Sequence, residues 1–422
     1  MSIKEKLDWL YSLETKGINL GLERVSKLAS LLNNPQDKFL SIHIAGTNGK
    51  GSIAKMLYTI LREQGYSVGL YTSPHLVRFN ERIVVDDKEI TDNELVSLME
   101  NTKKIVEDNK IDTTFFEFTT MMAFQHFAEK KVYVAVIETG MGGRLDATNI
   151  IKPIASIITK ISLEHQDYLG STIEKIAYEK AGIIKQGMDV ITENGGGALG
   201  IIRKVCEEKK SNLIVVDENE ETEVISSTIE RQEVVIKTKK DVYNIKTKLL
   251  GEYQLTNAAT AILACETVND KISISKEPII NGINKTCWPA RLEIISRKPL
   301  VILDGSHTPE GLKHIKKFML KHIKNKFKKI ILVLGIAEDK DKEAMIKQVG
   351  NIPDKIILCK AEYKGTPTKE LKQIAEKYNK NIEEVSKVSE AYSKALEEAN
   401  EDDAVIATGS LYVAGEVKAV II

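Results

Sequence analysis

The stretch FLSIHIAGTNGKGSIAKMLYTILRE, residues 39–63, decides the fold class of this 422-residue chain. Its first part, 39–45, is mostly apolar and rich in isoleucine, which is typical of a buried strand. Three glycines at 46, 49 and 51 then interrupt the pattern, and a helical pattern follows to about residue 65. A strand, a glycine-rich turn and a helix in this order predict a phosphate-binding unit, because backbone N–H groups at the helix start face an anion.

The loop in this stretch departs from the common phosphate-loop pattern G-x-x-x-x-G-K-[ST]. Ile44 stands where the pattern has glycine, Gly51 stands where it has a hydroxyl residue, and the hydroxyl comes one step later at Ser52. We expect Lys50 to reach the β- and γ-phosphates, and Ser52 to lie near a metal ion or to cap the helix. The alternative is a tight turn without a ligand. The flanking strand and helix favour nucleotide binding.

Buried strand patterns alternate with helical patterns over most of the chain, which predicts mostly parallel sheets with crossover helices. In the first part of the chain, the predicted strands lie at 39–46, 68–74, 132–140, 154–161 and 188–194. Residues 222–248 change to short, polar-interrupted β runs, which predict a small antiparallel sheet. A long helix is predicted after them, from about residue 251.

A second α/β series begins near residue 292. Its four predicted strands lie at 300–307, 329–337, 355–361 and 403–410. Pro289 breaks any helix in the connecting segment 287–293. We therefore predict two domains: an N-terminal ATP-binding domain of the phosphate-loop type, residues 1–290, and a C-terminal Rossmann-like α/β domain, residues 291–422.

Composition excludes some classes of function. Lys+Arg and Asp+Glu both number 60, and this zero net charge argues against broad binding to nucleic acid or an anionic membrane. The longest apolar runs are too short to cross a bilayer, and the charged N-terminus has no signal-peptide pattern. The four cysteines are scattered without a C-x-x-C pair, so we expect reduced thiols, no zinc site and a cytoplasmic protein.

Polar side chains follow three of the predicted strands. Ser73 and Glu138 come at the ends of their strands, and His165 follows a third. Ligand sites of parallel sheets lie beyond the carboxyl ends of the strands, and Mg²⁺ needs only a few protein oxygen ligands. These residues are therefore candidates for a magnesium site. The alternatives are a turn at Ser73, a solvated strand end at Glu138 and a structural histidine, since histidine is an unusual ligand for Mg²⁺.

Lys180 shares a predicted helix face with apolar residues. Ile173, Ile176, Ala177 and Lys180 have the spacing i, i+3, i+4, i+7. A buried, neutral lysine amine near Mg²⁺ could take up CO₂ and become a carbamate. The pattern alone favours the alternative, a lysine whose aliphatic stem packs while its ammonium group reaches solvent.

A second group of candidates lies near the proposed linker and in the C-terminal half. Asn257 is in the first turns of a predicted helix, where it could cap the helix or face an adenine. Arg291 lies in the linker, and Asp304 and His307 end the first strand of the second series. Ser410 ends the last strand, before a helix whose N-terminus could hold a carboxylate. Ordinary turn chemistry is the alternative for each residue.

The chain resembles the folylpolyglutamate synthases of the Mur ligase superfamily over almost its whole length. The motifs that carry the resemblance are GTNGKGS (46–52), TSPHLVRFNERI (72–83), ETGMGGRLDATN (138–149), EHQDYLGSTIEKIAYEKAGIIK (164–185), GEYQLTNAATA (251–261), PARLE (289–293), DGSHTPEG (304–311) and ATGSLYVAGEV (407–417). The motif at 138–149 is the most specific, because it separates the folate ligases from the cell-wall ligases of the same superfamily.

The resemblance implies a role for each candidate, and it makes Gly51 the normal form of the loop. Implied for ATP are Gly46, Thr47, Asn48, Gly49, Lys50, Gly51, Ser52, Asn257, Arg291, Asp304 and His307. Implied for Mg²⁺ are Ser73, Glu138 and His165, with Lys180 carbamylated. Implied for the substrates are Gly21, Leu22, Arg82 and Asp146 at the folate or dihydropteroate, and Ser410 at the incoming L-glutamate.

The implied reaction is the ATP-dependent addition of L-glutamate to the γ-carboxylate of a folate through an acyl phosphate. Lys50, Glu138, His165 and Lys180 are the implied catalytic residues, and the enzyme is expected to be a monomer. Addition of glutamate to dihydropteroate is a second implied activity. The alternatives are a cell-wall peptide ligase and a nucleotide-binding regulator. The chain departs from the family at Thr308, where asparagine is usual, and at Ala290, where glycine is common.

Overall fold

The structure, a computed structural model, describes residues 3–17 and 19–421, without the side chain of Lys16. The chain divides into two compact units. The first unit comprises Met1–Glu223, Val234–Ile245 and Thr256–Thr286, and the second comprises Val224–Glu233, Lys246–Leu255 and Cys287–Ile422. The functional domain boundary near residue 290 stays a prediction.

The strands and helices of the described residues follow one another in the alternating order that the sequence predicts. The strands are β1 (Leu40–Ala45), β2 (Val68–Tyr71), β3 (Ile83–Val85), β4 (Lys88–Glu89), β5 (Val134–Glu138), β6 (Ala155–Ile158), β7 (Asp189–Thr192), β8 (Asn212–Val215), β9 (Glu220–Ser227), β10 (Gln232–Thr238), β11 (Val242–Thr247), β12 (Glu293–Arg297), β13 (Leu300–Leu303), β14 (Ile330–Leu334), β15 (Lys355–Lys360), β16 (Ile382–Lys387) and β17 (Ala404–Thr408). The helices are α1 (Ile3–Ser12), α2 (Glu23–Leu31), α3 (Lys50–Glu63), α4 (Asp92–Asp108), α5 (Phe115–Glu129), α6 (Gln166–Leu169), α7 (Ile173–Ala181), α8 (Gly196–Glu208), α9 (Val216–Asn219), α10 (Tyr253–Val268), α11 (Lys276–Lys285), α12 (Pro309–Phe318), α13 (Lys342–Val349), α14 (Thr368–Ala375), α15 (Val388–Glu398) and α16 (Leu411–Ile421).

The first unit is built on a sheet with the strand order β4-β3-β2-β5-β1-β6-β7-β8. β3 pairs antiparallel with both β2 and β4, and the remaining pairs, along the order β2-β5-β1-β6-β7-β8, are parallel. This confirms the mostly parallel sheet that the sequence predicts. The carboxyl ends of the parallel strands lie along one edge, so the segments that follow β1, β2, β5, β6 and β7 come together there.

The core of the first unit lies on both faces of this sheet. Helix α5 is buried on nearly every side, and Phe118, Phe124 and Phe127 on it are fully buried. Because both faces are covered by helices, the strands read as continuous apolar runs rather than as alternating patterns.

The second unit contains a sheet with the order β12-β13-β17-β14-β15-β16. Its four inner strands are the four predicted from the sequence, and they pair parallel. The two edge strands were not predicted: β12 pairs antiparallel with β13, and β16 pairs parallel with β15. Both edge strands are rich in charged residues, so they lack the apolar signal of buried strands.

Residues 220–247 form the small sheet that the change of pattern predicts. Its order is β11-β10-β9, and tight turns at 228–231 and 238–241 join consecutive strands, so the sheet is antiparallel. Across residues 3–17 and 19–421, none of the helices combines the length and the apolar character that crossing a membrane requires.

Candidate active site

The loop after β1 has a backbone that only glycine fits at two positions. Gly46 has φ +155°, and a Cβ there would lie 1.8 Å from Thr159 Oγ1. Gly49 has φ +95° and precedes α3 without a side-chain cap. The N–H groups of the first helical turn therefore point toward the loop, which is the arrangement that binds anions.

Two amides of the loop already have partners within the protein. The N–H groups of Thr47 and Asn48 donate to the carbonyl oxygen of Lys160, at 2.9 and 3.1 Å. The hydroxyl of Thr47 also accepts the N–H of Ser162, at 3.1 Å. These bonds fix the loop, and they leave the amides at the start of α3 as the better donors for a phosphate. The role of Thr47 and Asn48 in holding ATP stays a prediction.

Lys50, Ser73 and Glu138 come together at the carboxyl edge of the sheet. The ammonium of Lys50 donates to the carbonyl oxygens of Gly46 and Thr47, at 3.0 and 3.3 Å, and lies 4.0 Å from Glu138 Oε1. The N–H of Ser73 donates to the other carboxylate oxygen of Glu138, at 3.2 Å. The juxtaposition expected from the ends of β2 and β5 is therefore present beside the loop.

The residues present fit a magnesium ion through oxygen atoms. The carboxylate of Glu138 and the hydroxyl of Ser73 are hard oxygen donors of the kind Mg²⁺ uses, with water and phosphate oxygens as further ligands. Among the described residues, no three His, Cys, Asp or Glu side chains form a metal cluster. His165 starts the short helix α6 in a left-handed conformation, with φ +46°. Its role as a magnesium ligand stays a prediction.

Lys180 is buried under the loop. Its side chain donates to the carbonyl oxygen of Gly46 at 2.6 Å and to Glu164 Oε1 at 2.8 Å. Burial lowers the pKa of Lys180 to about 8, although the charge of Glu164 opposes this shift. Burial would raise the pKa of Glu164, but the charges of Lys180 and Lys50 outweigh it and lower that pKa to about 2. The alternative of an ammonium group that reaches solvent is wrong, because only 1% of Lys180 is exposed.

The residues that follow β7 were not predicted, although they support the loop. Glu193 accepts the N–H of Lys160 at 2.5 Å. Asn194 accepts the N–H of Ile161 at 2.9 Å and donates to the carbonyl of Thr159 at 2.8 Å. Burial raises the pKa of Glu193 to about 7. The signal was available, since Glu193 directly follows the parallel strand β7, and Glu138 ends β5 along the same sheet edge.

Asp146, in the motif at 138–149, organises its own turn. Its carboxylate accepts the N–H groups of Met141 and Thr148, at 2.8 and 3.0 Å, and the hydroxyl of Thr148 at 2.5 Å. Burial raises the pKa of Asp146, and these hydrogen bonds oppose the shift. Its role at a folate stays a prediction.

His43 on β1 extends this network. Burial lowers the pKa of His43 to about 3, so its ring is neutral at pH 7. His43 Nε2 lies 2.8 Å from Thr148 Oγ1. Because the hydroxyl of Thr148 donates to Asp146, Nε2 carries the hydrogen and donates to Thr148. His43 Nδ1 is buried, and the described residues offer it no partner.

The other predicted substrate residues of the first unit lie near the N-terminal helices. Arg82 is buried, and its Nε donates to His75 Nδ1 at 2.8 Å. The guanidinium carbon lies 5.3 Å from the ring centre of Phe115. Gly21 has φ +146° and precedes α2, and Leu22 packs against the core. Ile18, the first residue of the segment INLGLERV (18–25) that contains Gly21 and Leu22, lies outside the described residues. The roles of Gly21, Leu22 and Arg82 at the folate stay predictions.

In the first unit, Asn257 is buried on α10 beside the loop, since a Cβ at Gly49 would lie 2.8 Å from its Oδ1. In the second unit, Asp304 is fully buried and accepts the N–H groups of Leu292 and Ser306, at 2.9 and 2.7 Å. Burial raises the pKa of Asp304, and the charge of Arg291 opposes the shift.

His307, Thr308 and Ser410 have local backbone partners in the second unit. His307 Nδ1 lies 3.0 Å from the carbonyl oxygen of Gly305. Thr308 Oγ1 accepts the N–H of Gly311 at 3.1 Å and so caps α12. The hydroxyl of Ser410 accepts the N–H of Tyr412 at 2.9 Å, at the start of α16. The hydroxyl at 308 therefore has a structural use. The ligand roles of His307 and Ser410 stay predictions.

Comparison with known proteins agrees with the resemblance. The model of the Mur ligase middle domain matches residues 44–265, and that of the Mur ligase, glutamate ligase domain matches residues 290–411. A dihydrofolate synthase/folylpolyglutamate synthase of Bacillus subtilis is 35% identical over 425 residues, which cover 97% of each chain.

Solved structures share the whole fold. The crystal structure of a folylpolyglutamate synthase from Thermotoga maritima has a TM-score of 0.87 and 32% identity, and the match covers 99% of this chain and 96% of that one. E. coli FolC in complex with DHPP and ADP has a TM-score of 0.88 and 30% identity, and the match covers 99% and 97%. The chain thus belongs to the Mur ligase family, in the branch of the dihydrofolate and folylpolyglutamate synthases.

Proposed function

We propose that the chain is an ATP-dependent ligase that adds L-glutamate to the γ-carboxylate of folates and, as a second activity, to the carboxylate of dihydropteroate. The observation that carries the proposal is the meeting of Lys50, Glu138 and Lys180 around one glycine-rich loop. Relatives of this chain are named for both activities, and one solved relative is in complex with DHPP and ADP.

The first step forms an acyl phosphate. A carboxylate oxygen of the folate attacks the γ-phosphorus of ATP, and the bond from that phosphorus to the β,γ-bridging oxygen breaks, which releases ADP. Lys50 and the N–H groups at the start of α3 stabilise the charge on the transferring phosphoryl group. A bound Mg²⁺, held through Glu138 and Ser73, would neutralise phosphate oxygens. His165 is proposed as a further ligand from the resemblance alone.

The second step forms the amide. The free amine of glutamate attacks the acyl carbon, the bond from that carbon to the phosphate oxygen breaks, and inorganic phosphate leaves. The proton that the nitrogen loses passes to solvent. We assign Ser410 and the N-terminus of α16 to the glutamate carboxylate, because a helix N-terminus stabilises an anion. Asn257, Arg291, Asp304 and His307 are assigned to ATP by resemblance.

We propose that Lys180 becomes carbamylated. Its neutral amine attacks CO₂, an N–C bond forms, and one proton is released to solvent. The pKa of about 8 leaves part of the amine neutral at physiological pH. Glu164 must release the amine for this reaction, since their ion pair holds it as ammonium. A carbamate resonance in the ¹³C spectrum of protein supplied with labelled bicarbonate, absent from Lys180→Ala, tests the proposal; its absence from the wild type refutes it.

The deciding experiment for the function is phosphate release with ATP, L-glutamate and either dihydropteroate or tetrahydrofolate. We expect release that requires both glutamate and a pterin acceptor. Release with a cell-wall peptide precursor alone would indicate the other branch of the family. Nucleotide binding without turnover on any acceptor would indicate a regulator.

The environment of the enzyme is also a proposal. We propose a monomer of the cytoplasm that acts on small molecules, without nucleic-acid or membrane partners. The zero net charge supports this, as do the free cysteines, of which Cys206, Cys265 and Cys359 are buried.

A further inference from the structure

A buried carboxyl group, that of Glu193, borders the first turn of α3. Only 8% of the residue is exposed. A Cβ at Gly49 would lie 3.6 Å from Glu193 Oε1, on the same side as Asn257 Oδ1 at 2.8 Å. The carboxyl group therefore lies beside the helix N-terminus to which the proposed function assigns the ATP phosphates.

Glu193 is connected to the phosphate loop through a single residue, Lys160. Its Oε1 accepts the N–H of Lys160 at 2.5 Å, and the carbonyl of Lys160 accepts the N–H groups of Thr47 and Asn48. Asn194 holds the next peptide through the N–H of Ile161. Removal of the carboxyl group would thus release the segment on which the loop rests.

The surroundings of Glu193 bring its pKa close to neutral pH, so both the protonated and the ionised form are populated there. Burial raises its pKa to about 7; the hydrogen bond from the N–H of Lys160 and the charge of that residue lower it, and Asp217 on α9 raises it. The ammonium of Lys50, the first residue of α3, donates to the loop carbonyls of Gly46 and Thr47. A triphosphate at the start of α3 would add several negative charges nearby, and like charges disfavour an ionised carboxylate.

We propose that Glu193 is a positioning residue of the nucleotide site and that it takes up a proton from solvent when ATP binds. The neutral carboxyl group still accepts the N–H of Lys160, so it keeps the loop in place without repelling the phosphates. The inference rests on the proposed ATP site at α3. The inference couples ATP binding to the uptake of a proton, and this proton uptake can be measured without turnover.

The test is calorimetric titration of the whole protein with a non-hydrolysable ATP analogue and Mg²⁺, in buffers of different ionisation enthalpy. Near neutral pH we expect wild type to take up about half a proton more than Glu193→Gln. Above that pH, wild-type affinity should fall by up to about tenfold per pH unit, and Glu193→Gln should lose this dependence and bind more tightly than wild type.

The matched control is Glu266→Gln. Glu266 is another buried carboxylate of the first unit, but it accepts hydroxyl groups of Tyr243 and Thr238, at 2.8 and 2.6 Å. We expect it to leave the proton count unchanged. The proposal is overturned if Glu193→Gln binds the nucleotide more weakly than wild type by the same factor at every pH and takes up as many protons as wild type. Glu193 would then have only a structural role.

The test also covers two further cases, a wild type that does not bind nucleotide and a Glu193→Gln variant that does not fold. If wild type binds no nucleotide at all, the proposed function fails together with this inference. If Glu193→Gln does not fold, infrared difference spectra of wild type with and without the analogue replace it. A new band from a protonated carboxyl group is expected, and its absence at neutral pH overturns the proposal.

Discussion

Gly46 lies so close to Thr159 that any side chain at this position would clash with it. A methyl group there would meet Thr159 Oγ1 at 1.8 Å, in a backbone conformation that alanine rarely adopts. We expect Gly46→Ala to displace the segment after β6 and to weaken nucleotide binding by at least about tenfold, equivalent to about 1.4 kcal/mol. Gly195→Ala is the control, since nothing lies within 4 Å of its Cβ. Unchanged nucleotide affinity in Gly46→Ala would contradict the loop geometry.

Lys50 is the residue on which the proposed chemistry depends most directly. Lys50→Ala removes the cation that we propose stabilises the transferring phosphoryl group, so we expect kcat to fall by about 10²–10³-fold or more in the phosphate-release assay. Lys55→Ala on the same helix is the control, because its ammonium lies over the ring of Tyr58, 4.6 Å from its centre. Turnover of Lys50→Ala near the wild-type rate would remove the loop from the mechanism.

At the scale of single elements, Thr308 shows how a departure from the family pattern is accommodated. Its hydroxyl caps α12. We expect Thr308→Ala to lower the free energy of unfolding of the second unit by about 1 kcal/mol, and Thr308→Asn to keep it, because asparagine caps helices equally well. Urea denaturation of the two variants measures the difference, and equal stability of both would show that the cap contributes nothing.

The elements that the sequence predicts well are those whose signal is local. Buried parallel strands such as β1, β5 and β14 are continuous apolar runs, and they were predicted close to their observed bounds. The short hairpin of β3 and β4 was missed, since it turns at Asp86 and Asp87, which adopt left-handed conformations usually left to Asn and Gly. β8 was missed too: it has only four residues, and they run from the exposed Asn212 to the buried Val215 without the continuous burial of the inner strands.

In the candidate site, too, the residues with a local sequence signal could be predicted and those without one could not. Ser73 and Glu138 could be found because each ends a predicted strand, and parallel strands end at one edge. The contact of Lys180 with Gly46 and the occupied amides of Thr47 and Asn48 could not be found, because each of these bonds joins residues more than 100 positions apart. Such contacts depend on strand order, which local patterns do not specify.

At the scale of the whole molecule, the chain passes between its two units more than once. Residues 224–233 and 246–255 belong to the second unit although most of that unit begins at Cys287. Leu250 is 1% exposed and packs in the core of the second unit with Leu292 and Ile302. The second unit is thus formed by three separate segments of the chain and not by one continuous C-terminal segment.

Leu250 provides the test of this arrangement. We expect Leu250→Ala to destabilise the second unit by about 2–5 kcal/mol, because it leaves a cavity in a packed core. Faster amide exchange in β13 and β17 would report the effect. Leu320→Ala is the control, since that side chain is 46% exposed. Protection in β13 and β17 equal to wild type would mean that the core does not depend on residues 246–255.

The neutral ring of His43 provides an internal NMR probe. Strand β1 carries this ring two residues before the strand ends at Ala45, and the same ring is tied through Thr148 to the turn that Asp146 organises. Because the neutral ring carries its hydrogen on only one of its two nitrogens, the ¹⁵N resonances of the two nitrogens are widely separated. Any molecule that draws Asp146 away from Thr148 would alter the bonded nitrogen first, which makes occupancy of that turn readable without a label on the ligand.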